Sequence, residues 1–136
     1  MTTVPTEIEA VEQAESILAD LHISLPMLTG SLVASADGHA LAAELDEERQ
    51  RSLAAIVASS FALGQKLAQV GGSDEAEEMV VRHGKGYVAI FAVGPSAALV
   101  VLAMDTINLG MLKHRAESAV ERLGPLVPML ARRATS

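Results

Sequence analysis

The chain contains no cysteine and no tryptophan, and its aromatic residues are one tyrosine and two phenylalanines among 136 residues. Without cysteine there is no disulfide framework, thiolate nucleophile or sulfur metal site, which suits a reducing compartment and leads us to expect a cytoplasmic protein. Half of the residues are nevertheless apolar. The core must therefore be aliphatic, built from Ala, Val, Leu, Ile and Met. Basic residues are also scarce: 10 Lys and Arg against 17 Asp and Glu leave a net charge of −7. Only Arg132 and Arg133 sit together, so the clustered basic patch that nucleic acid or an anionic membrane requires is missing from the sequence. The N-terminal stretch MTTVPTEIEAVEQAE is too acidic and too polar for a signal peptide.

One charge-free stretch, residues 86–104, is long enough to raise the question of a membrane span. Gly94-Pro95-Ser96 divides it into two short runs rich in Val, Ile, Phe and Leu, which predicts two buried strands and no membrane insertion. The length fits one domain spanning residues 1–136, with a core from about 7 to 123 and a tail from 124 onward.

Thr6 followed by Glu9 matches a capping box and predicts a helix from about Glu7 to Leu21, with Ile8, Val11, Ala14, Leu18 and Leu21 as its apolar stripe. The segment SLVASADGHALAAEL alternates on both sides of Asp37-Gly38, a hairpin signal. A two-residue loop there sets Leu32 opposite Ala43, Val33 opposite Ala42, Ala34 opposite Leu41 and Ser35 opposite Ala40. Asp46 caps a second helix that ends at Gly71-Gly72. This helix is apolar on two flanks. Leu53, Ile56, Ser60, Leu63 and Leu67 form the expected stripe, and Ala54, Ala58, Phe61 and Ala62 occupy the side where Glu and Lys are usual. Met79 to Arg82 reads as an edge strand, Gly84-Lys85-Gly86 as a turn, and Tyr87–Val93 and Ala97–Met104 as central strands. A last helix begins near Asn108 and buries Leu112, Ala116, Ala119, Val120 and Leu123. Gly124-Pro125 then leaves Leu126 to Arg133 as a kinked continuation or a separately packed tail.

The chemistry-bearing residues do not converge on a reaction. Asp37-Gly38-His39 is explained by the turn, and His22, His83 and His114 lack metal-ligand spacing. RHGKGY, residues 82–87, is the best small-anion candidate but is accounted for by a plain hairpin turn. Neither GxxxxGK[ST] nor GxSxG occurs, and the acids from Asp74 to Glu78 form a solvated run. No catalytic residue, cofactor or metal is expected.

Three features together carry a resemblance: the hairpin LVASADGHAL, the unit EEMVVRHGKGYVAIFAV, and the last apolar strand leading into DTINLGMLKHRAESAV. From about Ala10 to Leu123 the chain resembles the roadblock domain, the family of the roadblock dynein light chain and of bacterial partners of small Ras-like GTPases. The resemblance implies an α+β fold of roadblock/profilin-like order, α-β-β-α-β-β-β-α. Its antiparallel sheet has five strands, with one helix on one face and two on the other. It also implies a homodimer in which third strands and second helices meet, with Met79, Val80, Val81 and Arg82 and the flank Ala54, Ala58, Phe61 and Ala62 as candidate interface. Members act as scaffolds or regulators of small Ras-like GTPases, and in bacteria often accompany a GTPase and a sensor kinase. Arg49, Gln50, Arg51, Gln65 and Lys66, chosen for expected exposure, are the candidate partner-binding rim. A small-molecule-binding sensor domain is the alternative, which an occupied internal pocket would favour.

Overall fold

The computed structural model describes residues 5–135; residues 1–4, the start of the acidic N-terminal stretch, and residue 136 lie outside it. Eight elements follow the expected order: α1 (Glu7–Ser24), β1 (Leu28–Ser35), β2 (Ala40–Glu44), α2 (Glu47–Val70), β3 (Glu78–His83), β4 (Gly86–Val93), β5 (Ala97–Met104) and α3 (Leu109–Leu123). A short 3-10 turn over Gly124–Leu126 then leads into α4 (Val127–Thr135). Side-chain caps start the three long helices: Thr6, Asp46 and Asn108 each accept a backbone N–H three residues on.

The strands form one antiparallel sheet in the order β2-β1-β5-β4-β3. The three central strands are apolar on both faces, and each face has its own core. On one side Leu99, Val101 and Phe91 pack with Leu18 of α1, Leu112 of α3 and Leu130 of α4. On the other, Leu32, Ile90 and Val100 pack with Ala54, Val57 and Phe61 of α2. Residues 86–104, which raised the membrane question, are thus β4, a turn and β5 inside this sandwich.

Several local expectations are corrected. The first hairpin has a three-residue loop, closed by Ser35 N–H to His39 O at 2.9 Å and Gly38 N–H to Ser35 O at 3.1 Å. Asp37 keeps a negative φ and only Gly38, at φ 95°, takes the left-handed region, which costs an aspartate more than a glycine. The register then shifts: Val33 still faces Ala42, but Ala34 faces Ala40, so Leu41 is a bulge rather than the partner of Ala34, and Ser35 does not pair with Ala40. In α1, Ile8 is exposed and Ala10 and Ile17 are buried with Ala14, Leu18 and Leu21, because the face turned to α3 and α4 is centred near Ala14 and Leu21 and Ile8 lies more than about 100° around the helix from it. The tail is a kinked continuation whose Leu126, Val127 and Leu130 close the α1 side of the core.

Candidate interaction surface

Helix α2 turns Ala54 (1% exposed), Val57, Phe61 (8%) and Gly64 toward the sheet. A Cβ on Gly64 would lie 2.6 Å from Met79 Sδ, so glycine lets the helix settle onto β3. Of the expected core stripe, Leu53 packs at the margin of the core, but the rest faces outward: Ile56 and Leu63 are 57% exposed and Leu67 61%, and Val70 beyond them is 89% exposed. At 100° per residue Ile56, Leu63, Leu67 and Val70, with Ser52, Ser59 and Ser60, fall within an arc of about 100° along about five turns of helix. α2 is long and apolar enough to cross a membrane by length and composition. Its apolarity has a local cause, however, since one flank serves the sheet and the other lies open beside β3.

The candidate interface residues divide accordingly. Ala54 and Phe61 are in the core and are withdrawn as interface residues, because small and planar side chains fit against a flat sheet. Ala58, half-buried, and Ala62, exposed, line an open groove of about 360 Å³ with Ala36 of the hairpin tip, Asp74 and Glu75. In β3, Met79 lies under α2, Val80 faces the α1/α3 side, and Val81 (53% exposed) and Arg82 are open.

The five rim candidates do not come together. Arg49 is exposed and hydrogen-bonds through Nε to the carboxylate of its own cap, Asp46, which it holds below the usual carboxylate range. Gln50 donates to Leu45 O, and Gln65 accepts the Ala76 N–H at 3.0 Å, so both glutamines pin loops. Arg51 and Lys66 are exposed and lie about 22 Å apart along the helix.

Two Ser/His/acid groupings invite comparison with nucleophilic sites. Ser35 donates to Asp37 and accepts the His39 N–H, while Asp37 lies 3.6 Å from His39 Nε2. The acid rather than the imidazole takes the serine proton, the reverse of what activation needs, and the hydrogen bond holds Asp37 below the usual range. In the second, His22 Nε2 is 2.9 Å from Ser31 Oγ, but Ser31 is completely buried. Among the described residues no group of three or more His, Asp or Glu could hold a metal ion. RHGKGY forms the β3–β4 hairpin, and the Lys85 N–H is taken up by His83 Nδ1 at 3.2 Å.

Burial lowers the affinity of His22 for a proton, partly offset by the nearby Glu44 carboxylate. The unfolded chain then binds that proton more readily than the folded one. This contribution to stability is complete above about pH 6.5 and is lost as pH falls toward the lowered folded value. In urea titrations across this range, His22→Gln is expected to flatten the acid-side decline; an unchanged slope would remove His22 as its source.

The Roadblock/LC7 domain pattern matches residues 16–103. The chain belongs to this family. Solved roadblock structures share its fold: the Roadblock/LC7 domain from Streptomyces avermitilis is 20% identical, with a TM-score of 0.79 over 83% of this chain and 96% of that one. The gliding protein MglB from Thermus thermophilus is 24% identical, with a TM-score of 0.79 over 86% and 90%. An MglB with tetrameric arrangement is also 24% identical, at 0.81 over 89% and 92%. No curated protein matches the chain. The matched residues run from within α1 to β5, and the solved structures extend the likeness over 83–89% of the chain.

Proposed function

We propose that this roadblock protein is a non-catalytic, cytoplasmic scaffold or regulator that works as a homodimer and binds a small Ras-like GTPase. The observation that carries the dimer is the open apolar band of α2, Ile56-Leu63-Leu67-Val70, lying beside the free edge of β3. An aliphatic band of this length marks an interaction site on a soluble domain, and a free strand edge offers unpaired N–H and C=O groups next to it. Both elements sit on one side of the molecule, so a twofold axis can pair each with its copy. Serines 52, 59 and 60 between the aliphatic side chains leave room for two helices to approach closely.

The GTPase half of the proposal rests on family membership, and the absence of a phosphate-binding GxxxxGK[ST] loop supports a protein that does not bind GTP itself. Arg51 and Lys66 are the exposed cations of the rim and remain available for an acidic partner surface. The test is titration of the purified protein with each small GTPase of its own cell, loaded with GDP or a GTP analogue. One of them is expected to bind, and reversing Arg51 and Lys66 together to glutamate should weaken binding by roughly tenfold at low salt with little change in thermal stability. Failure of every GTPase to bind, with tight binding of a small metabolite, would instead establish the sensor alternative.

A further inference from the structure

The motif RHGKGY and the first turn of α2 meet at one corner of the sheet. Helix α2 follows β2 and reaches β3 at Gly64 over Met79, so it crosses its face of the sheet diagonally. The corner where β3 and β5 end is left open on that face, with Val81 53% and Met104 45% exposed. His83 belongs to the same face, because it alternates with Met79, which packs under α2. One row of paired residues there runs His83–Gly86–Met104 across three strands, and Gly86 places no side chain between the other two. The result is an open cleft of about 410 Å³, a volume within the range of small-molecule sites.

The lining of this cleft carries one sign of charge. Arg49, His83 and Lys85 enter it from α2 and from the β3–β4 hairpin, and none of its lining residues is an Asp or Glu. That is a local reversal in a chain whose acids outnumber Lys and Arg by 17 to 10. Each of the three side chains has a donor to give. Arg49 uses Nε on the Asp46 carboxylate, which leaves the two terminal nitrogens of its guanidinium. His83 Nδ1 accepts the Lys85 N–H at 3.2 Å, so the neutral imidazole carries its proton on Nε2, and the same bond fixes the ring against the turn. The Lys85 ammonium forms no ion pair among the described residues. A guanidinium, a ring N–H and an ammonium suit the several oxygens of a phosphate better than the two of a carboxylate, which one arginine already satisfies. Beside these donors Leu102 and Met104 supply an apolar wall.

We propose that this corner binds a small organic phosphate monoester, its dianionic head held by Arg49, His83 and Lys85 and its carbon chain lying on Leu102 and Met104. Tyr87, the only tyrosine of a chain without tryptophan, lines the same cleft, so intrinsic fluorescence reports its occupancy. In titrations of the purified protein at low, constant ionic strength, n-butyl phosphate is expected to change this signal saturably. It should bind roughly tenfold more tightly than inorganic phosphate, because the chain adds apolar contact to the same anionic head. n-Butanol, which lacks that head, should give no saturable change. Lys85→Gln and Arg49→Gln are each expected to weaken butyl phosphate roughly tenfold, with urea titration to show that both variants are folded. Arg115→Gln removes the same charge from an exposed position of α3, on the other side of the sheet, and should leave the affinity unchanged. Butyl phosphate that gives no saturable change, binds no better than inorganic phosphate, or is weakened as much by Arg115→Gln as by Lys85→Gln would overturn the site.

Discussion

Lysine at both Leu63 and Leu67 is expected to leave a folded monomer. The two leucines are more than half exposed, project away from the sheet and contribute to neither buried core. Replacing them should therefore shift the stability of the isolated chain by no more than about 0.5 kcal/mol. In a twofold dimer the same side chains are buried once by each copy, so every substitution is felt twice. With about 1.5 kcal/mol or more for each leucine removed from water, even one of the two sites accounts for about 3 kcal/mol per dimer. That is over a hundredfold in the dissociation constant. Lysine adds the cost of bringing like charges together at the axis. Sedimentation equilibrium of wild type and variant, with urea titration of both, separates association from folding. A variant that remains dimeric would move the interface off the outer face of α2.

The orientation of α2 is the largest feature that the sequence leaves undecided, although it displays both apolar flanks of the helix. Periodicity shows that Leu53, Ile56, Leu63 and Leu67 share one side and Ala54, Phe61 and Ala62 lie elsewhere, but not which side meets the chain's own sheet. The deciding factor is size. Leu32, Ile90 and Val100 fill most of the sheet face under α2, so the helix seats on it through Ala54, Val57, Phe61 and Gly64, with Leu53 at the margin, and Ile56, Leu63, Leu67 and Val70 remain outside. The strands are easier to place, since the uncharged run ends with β5 at Met104 and Gly94-Pro95-Ser96 marks the turn between β4 and β5. The hairpin register is legible from Ser31 to Val33 and lost beyond it, because the bulge at Leu41 follows from the preference of Asp37 for a negative φ, a local cost that alternation does not encode. The rim fails for a similar reason: Gln50 and Gln65 look free on a helical wheel, and only the folded chain brings Leu45 O and the Ala76 N–H within their reach.

Alanine in place of Gly86 is expected to cost about 3 kcal/mol or more, enough to lower the melting temperature by roughly 10 °C in a domain of this size. A Cβ at this position would run into Ala103 O and stand 3.1 Å from the Met104 carbonyl carbon, both backbone atoms of β5. Neither can turn aside as a flexible side chain would. The first residues of β4 would have to lift from β5, giving up the Gly86–Met104 pairing and the Asp105 N–H to Lys85 O bond at 3.2 Å. Gly84, two residues earlier in the same hairpin, provides the comparison: a Cβ there meets nothing within 4 Å and its φ is not positive. Gly84→Ala should therefore change stability by no more than about 0.5 kcal/mol, or raise it slightly by restricting the unfolded chain. Equal stabilities for the two variants in urea titration would contradict the close approach of β4 to β5 at Gly86. Because β3 is held to the sheet through β4 alone, loosening this corner also disorders the edge proposed to pair with a second copy. Gly86→Ala should then lose self-association together with stability, whereas the lysine variants of α2 lose self-association and keep the fold.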